Sequence, residues 1–314
     1  MDQIQHTYVK VNGLNIHLAE TGSSSSDKVV IFLHGFPEIW YSWRHQLIAA
    51  GKAGYRAIAL DFRGYGLSDA PPEPEKATFK DTISDLLAIL DALIIPKVFL
   101  VAKDWGSRTA YDFTLLYPER VSGIITFGAP FVPPGPAQWV MKLPEGVYVS
   151  RWQESGRAEA EFARFDAKTI VRNVYILFSR SEIPMATAVD QEIMDLVEPS
   201  TPLPAWFSEQ DLQVYGDLYE KSGFRTALKV PYRSLGEVYD LPDRKIETPT
   251  LLIVGEKDFS LKFLGMEEII RSGKAKTFVP NLEISYISEG SHFTQEQFPD
   301  KVNELVLDFL SKHD

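Results

Sequence analysis

Apolar residues in this chain fall into short unbroken runs separated by longer stretches with helical spacing. VVIFLHG at 29–35, RAIALD at 56–61, KVFLVA at 97–102 and GIITFGAP at 123–130 show no alternation, which is the pattern of strands buried on both faces. PTLLIVGEKD at 249–258 and EISYISEGSH at 283–292 repeat it much later. The clearest helix begins at Thr78 and places Phe79, Ile83, Leu86, Leu87, Leu90 and Leu93 at helical spacing, with Thr78 and Asp81 forming a capping-box signature. The opening is different: YVKVNGLNIHLAE alternates apolar and polar residues about Asn12-Gly13, which predicts a hairpin with a two-residue turn. Strands alternating with helices predict an α/β fold, a mostly parallel sheet with helices on both faces.

Residues 131–245 break that rhythm. They open with the proline-rich FVPPGPAQW, carry Trp139, Trp152 and Trp206, and show helical patterns such as SEQDLQVYGDLYEKSG, where Ser208 and Asp211 repeat the capping signature. The expected organisation is a sheet domain built from 1–130 and 246–314 with a helical lid, 131–245, inserted between the halves. The serine run at 23–26 reads as a loop, and no internal repeat is present.

Composition narrows the partners. A formal net charge of −11 leaves no basic footprint for nucleic acid or for an anionic membrane. The N-terminus, MDQIQHTYVKVNG, has no basic region followed by an apolar stretch, and no apolar run approaches the ~18 residues of a spanning helix. The final SKHD matches neither a peroxisomal nor an ER-retention address. There are no cysteines, hence no disulfide framework and no thiolate metal site. A cytoplasmic protein is the default expectation.

One stretch carries chemistry. In VFLVAKDWGSR, residues 98–108, a carboxylate follows a buried strand and precedes small residues. A nucleophile elbow needs that arrangement: a strand, a sharp turn at the reactive residue, and small neighbours that let the backbone reverse into a helix. The helix after the turn would hold Asp104 near its positive end. The alternative is an Asp that caps a helix. In elbow-bearing hydrolases the acid and the histidine follow the nucleophile in chain order, and Asp258 and His292 fall after the two late strands, where function collects in open α/β sheets. His6, His17, His45 and His313 read as surface or packing residues. His34 opens the turn HGFPE, whose Phe36 amide, together with that of Trp105, could form an oxyanion hole. A purely structural role for His34 and Pro37 is compatible with this.

Together HGFPEIWYSWRHQ at 34–46, DFRGYGLSD at 61–69, the DWG elbow, the GEKD loop and GSHFTQEQFPDKVNELVLDFL at the end resemble the soluble epoxide hydrolases of the α/β-hydrolase fold, especially the plant-type ones. The resemblance covers nearly the whole chain. It implies a cis peptide at Phe36–Pro37, an Asp104 nucleophile, a His292–Asp258 pair that activates water, and two lid tyrosines that activate the ring oxygen. The tyrosine contexts read YVSRW at 148–152 and PYRSL at 231–235, hence Tyr148 and Tyr232. An aspartate suits such chemistry because attack on an epoxide carbon gives an ester, which water can cleave, whereas a serine would give an ether. The implied reaction turns a lipophilic epoxide and water into a vicinal diol with no metal and no organic cofactor. It leaves a homodimer open.

Lys103 departs from the pattern, since the residue before the nucleophile is usually histidine in this family. Because side chains alternate at a strand tip, Lys103 is expected to touch the scaffold. Haloalkane dehalogenases share the Asp-Trp pair, but their first turn usually reads HGN. Fluoroacetate dehalogenases place Arg directly after the nucleophile and again three positions on. Arg108 fits the second place, and Trp105 occupies the first. A non-catalytic small-molecule receptor would have no need of the full set of Asp104, Asp258, His292 and both tyrosines. A dinucleotide reading of RGYGLSD fails because the third glycine is missing and APPEPE follows.

Overall fold

The computed structural model of the chain describes residues 3–133, 143–188, 190–237, 241, 245–263 and 265–314. Eight strands form one sheet: β1 (Gln5–Val11), β2 (Leu14–Thr21), β3 (Val29–Leu33), β4 (Arg56–Leu60), β5 (Val98–Lys103), β6 (Val121–Phe127), β7 (Thr250–Gly255) and β8 (Leu282–Ile287), in the order β1-β2-β4-β3-β5-β6-β7-β8. The pairs β1–β2 and β2–β4 are antiparallel and the others parallel. Asn12 and Gly13, at φ 49° and 83°, make the predicted hairpin turn, a conformation that suits Asn-Gly because both central residues need positive φ. Every residue of β3, β5 and β7 is buried, which explains their unbroken apolar sequence.

The faces are covered by helices. On one side α1 (Arg44–Lys52) packs against the C-terminal helix, and on the other α2 (Phe79–Ala92) packs against α3 (Trp105–Leu116). Thr78 accepts the Asp81 N–H while Asp81 accepts that of Thr78, so the capping box is closed in both directions. Such a cap contributes about 1 kcal/mol.

Between β6 and β7 the described residues hold no strand. They form α4 (Tyr148–Gln153), α5 (Arg157–Phe162), α6 (Ala167–Phe178), α7 (Glu209–Ser222) and α8 (Arg225–Lys229). Ser208 and Asp211 cap α7 as expected. Trp139 lies outside the described residues. The chain closes with α9 (Met266–Arg271), α10 (Thr294–Gln297) and α11 (Pro299–His313). No helix among the described residues is long and apolar enough to cross a membrane.

The strand order fixes where a site can form. From β3 the chain steps to β4 on one side and then crosses back to β5 on the other. The loops leaving β3 and β5 therefore diverge over their shared edge, the switch point at which open α/β sheets bind ligands. Phe36 and Asp104 sit on those two loops, and Asp258 and His292 follow the adjacent strands β7 and β8 at the same sheet edge.

Candidate active site

Asp104 occupies the turn between β5 and α3 at φ 50° and ψ −127°. A positive φ at a non-glycine residue costs about 1–3 kcal/mol and survives only where its surroundings hold it. Two glycines make room for it. A Cβ on Gly35 would lie 2.5 Å from Asp104 Cβ, and one on Gly106 would lie 2.5 Å from the His34 carbonyl oxygen. Asp104 stands at the N-cap position of α3, yet its side chain makes no capping hydrogen bond. The carboxylate instead accepts the Phe36 N–H at Oδ2, 3.0 Å away. Trp105 opens α3, so its amide is one of the helix's first donors, which have no acceptor within the helix.

His34 braces the Phe36 turn from beneath. It is fully buried, its Nε2 accepts the Phe62 N–H at 3.0 Å, and its Nδ1 therefore carries the proton given to the Gly35 carbonyl at 2.8 Å. Burial lowers its pKa and keeps it neutral. Its role is structural, and Phe36–Pro37 is cis as the resemblance implied.

His292 and Asp258 meet in the structure. His292 Nδ1 lies 3.0 Å and 3.2 Å from the two Asp258 oxygens, and Asp258 Oδ1 also accepts the Ser260 N–H at 2.8 Å. Burial opposes ionisation of Asp258, but the charge and hydrogen bond of His292 and the Ser260 amide outweigh it and hold the carboxyl below its ordinary value. With Nδ1 committed to Asp258, Nε2 is the nitrogen left over, and it is buried without a partner among the described residues. Asp104 is shifted the other way. Burial raises it, and the charges of His292 and Lys103 and the Phe36 N–H counter only part of that rise.

Tyr148 and Tyr232 come from the helical segment and converge, with ring centroids 6.0 Å apart. Trp152 stands between them at 5.1 Å from each, and Tyr232 also contacts Phe36 at 5.4 Å and Trp105 at 5.8 Å. Ion pairs anchor both. Arg151, one turn after Tyr148, is buried and bonds Glu192 at 3.0 Å. Arg233, next to Tyr232, grips Glu159 of α5 with an Nη2–Oε2 distance of 2.6 Å. Burial, reinforced by nearby carboxylate charge, pushes both phenols well above their usual pKa, so each keeps its proton at neutral pH. The Tyr232 hydroxyl is buried, and among the described residues the Trp105 side chain is the hydrogen-bonding group that approaches it.

All seven residues singled out in the sequence thus converge on one site. Arg108 does not take part: its guanidinium lies over the Phe79 ring and reaches Asp112 and the Glu237 carbonyl. Among the described residues, no three His, Cys, Asp or Glu side chains cluster as a metal ion would need. Sequence reasoning assigned no role to Glu38, which is fully buried and paired with Lys103 at 3.0 Å. The unusual lysine was the only signal, because a buried cation requires a carboxylate nearby. The assembled groups are an ionisable carboxylate, amide donors, two neutral phenols and an oriented imidazole. They suffice for displacement at carbon with acid assistance and later attack by water.

A sheet with its switch point at such an elbow defines a class, and a family model described as alpha/beta hydrolase fold matches residues 28–307. Epoxide hydrolase 1 of Siraitia grosvenorii is 36% identical over 322 residues, which span 99% of this chain and 100% of that protein. The crystal structure of an epoxide hydrolase from Vigna radiata superposes with a TM-score of 0.91 at 33% identity, covering 99% of both chains. Potato (Solanum tuberosum) epoxide hydrolase I gives 0.89 at 33% identity over 98% of this chain and 99% of its own. The chain belongs to the epoxide hydrolase family of the α/β-hydrolase fold, a family of hydrolytic enzymes.

Proposed function

We propose that this protein converts lipophilic epoxides to vicinal diols through an alkyl ester on Asp104, with 131–245 acting as a lid on the core formed by 1–130 and 246–314. The carrying observation is the pair of protonated, buried phenols in the same site as a carboxylate that has one oxygen held by an amide. Phe36 holds Oδ2, which leaves Oδ1 to attack an epoxide carbon. The C–O bond of the ring breaks, and the leaving oxygen takes a proton from Tyr148 or Tyr232. His292 Nε2 then removes a proton from water while Asp258 stabilises the imidazolium. The hydroxide adds to the ester carbonyl, whose oxygen is stabilised by the Phe36 and Trp105 amides. Collapse breaks the acyl C–O bond, the departing alkoxide takes the proton of the carboxylic acid so formed, and the proton on His292 returns to the tyrosinate, which releases the diol and restores carboxylate, imidazole and phenol.

The leaving group supports this reading over dehalogenation. A halide departs as a weak base and needs no proton, whereas an alkoxide is a strong base for which two phenols are suited. The names of the relatives agree with it. The walls supplied by Phe36, Trp152, Phe178, Phe259 and Phe263 around the tyrosines suit an apolar substrate. The test is a panel of fatty-acid and aryl epoxides alongside haloalkanes, scored for diol and for halide. Diol from the epoxides is expected; halide release without diol would overturn the proposal.

A further inference from the structure

Lys103 is one of the largest fully buried side chains of the protein, and it stands directly before Asp104. Its ammonium lies 3.0 Å from Glu38 Oε2 and 4.7 Å from the centre of the Phe293 ring. The same Glu38 oxygen accepts the Gly35 N–H at 3.3 Å, and the other accepts the amide of Gln295. Gly35 is the neighbour of Phe36, and Phe293 is the neighbour of His292. One buried ion pair therefore joins the three pieces of chain that carry Asp104, the Phe36 amide and His292.

We propose that Lys103 is a positioning residue: by gripping Glu38 it holds the Gly35–Phe36 turn and the His292 loop in register with the elbow, and its ammonium supplies a fixed positive charge beside Asp104. A buried ion pair is a poor source of stability compared with an apolar pair of similar shape, so packing alone does not account for a lysine here. The charge has a use. Asp104 is buried, and the groups facing it are His292 from the loop after β8, Lys103 from β5, Glu38 from the turn after β3, and the phenols of Tyr65, Tyr148 and Tyr232. Of these only Lys103 and His292 favour its anionic form, and the imidazole is neutral whenever it acts as a base.

The inference rests on Asp104 being the nucleophile, and the test separates the two. Adduct formation is followed by intact-protein mass after rapid mixing with a styrene-type epoxide, in a His292→Gln background that blocks the second step. Lys103→Met combined with Glu38→Gln removes both charges and keeps the volumes. This variant should fold, form the adduct about 10-fold more slowly at pH 7, and show the acidic limb of the rate moved up, because at Asp104 the Lys103 charge outweighs that of Glu38. Lys103→Arg should keep the limb where it is. If the paired variant does not give native circular dichroism, Lys103→Gln combined with Glu38→Gln, compared with Lys103→Arg, makes the same contrast of neutral against charged. An adduct that forms at the parent rate and pH dependence without the charge overturns the role of Lys103 alone. No adduct in the parent background overturns the nucleophile and this inference with it.

Discussion

Removing the Tyr232 hydroxyl should cost activity while leaving stability nearly unchanged. In Tyr232→Phe the ring keeps its contacts with Trp152 at 5.1 Å, Phe36 at 5.4 Å, Trp105 at 5.8 Å and Tyr148 at 6.0 Å. The lost atom is a buried oxygen approached by the Trp105 side chain. Its removal gives up at most one neutral hydrogen bond and spares the cost of burying a hydroxyl, two effects of about 1 kcal/mol each that oppose one another, so Tm should change by less than about 2 °C. The chemical step should suffer, because the leaving oxygen loses one of its two acids. A general acid is worth about 10²–10⁴-fold, and with Tyr148 still present the loss should lie near 10²-fold, or about 3 kcal/mol of barrier. Thermal unfolding gives the first quantity and single-turnover ester formation the second. A variant with unchanged ester formation and a lowered Tm would show that Tyr232 serves packing, and the acid role would fall.

The two carboxylates predict opposite pH signatures in thermal unfolding. The folded pKa of Asp104 is raised by burial, so its contribution is most favourable below the unfolded value, about 3.9, and is lost as pH rises through the folded one. Asp104→Asn should therefore be inactive yet more stable than the parent at pH 7, with the difference gone near pH 3; a less stable variant at pH 7 would contradict this. The folded pKa of Asp258 is lowered despite its burial, by His292 and the Ser260 amide, so its contribution is present above the unfolded value and is lost as pH falls through the folded one. Asp258→Asn should be destabilised at pH 7 by about 1–3 kcal/mol, with the deficit shrinking under acid; a deficit independent of pH would refute the linkage.

Strands buried on both faces announce themselves in sequence, because a parallel sheet under helices tolerates no polar face. That is why the cores of β3, β5 and β7 could be read directly, with ends displaced by one to three residues. Capping at Thr78 and Ser208 is equally local, since donor and acceptor lie three positions apart. The seven candidate residues were legible only in part from such rules. Asp104 could have been a helix cap, and its positive φ and the bond from Phe36 decide against that role. The Glu38–Lys103 pair was out of reach because its partners are 65 positions apart and meet only when β3 and β5 lie side by side. The anchoring of Tyr232 by Arg233 and Glu159 is hidden for the same reason, its partners lying 74 positions apart.

The central claim is that Asp104 itself enters the reaction. A single turnover with enzyme in excess over epoxide, run in ¹⁸O-water, tests it most directly. When Asp104 attacks the ring and water then cleaves the acyl C–O bond, the oxygen added to the first diol comes from the Asp104 carboxylate. That diol should be unlabelled, and one ¹⁸O should be found in the peptide containing residues 98–108. A first diol carrying the full label, with none in that peptide, would mean that water attacks the epoxide directly and would contradict the covalent route.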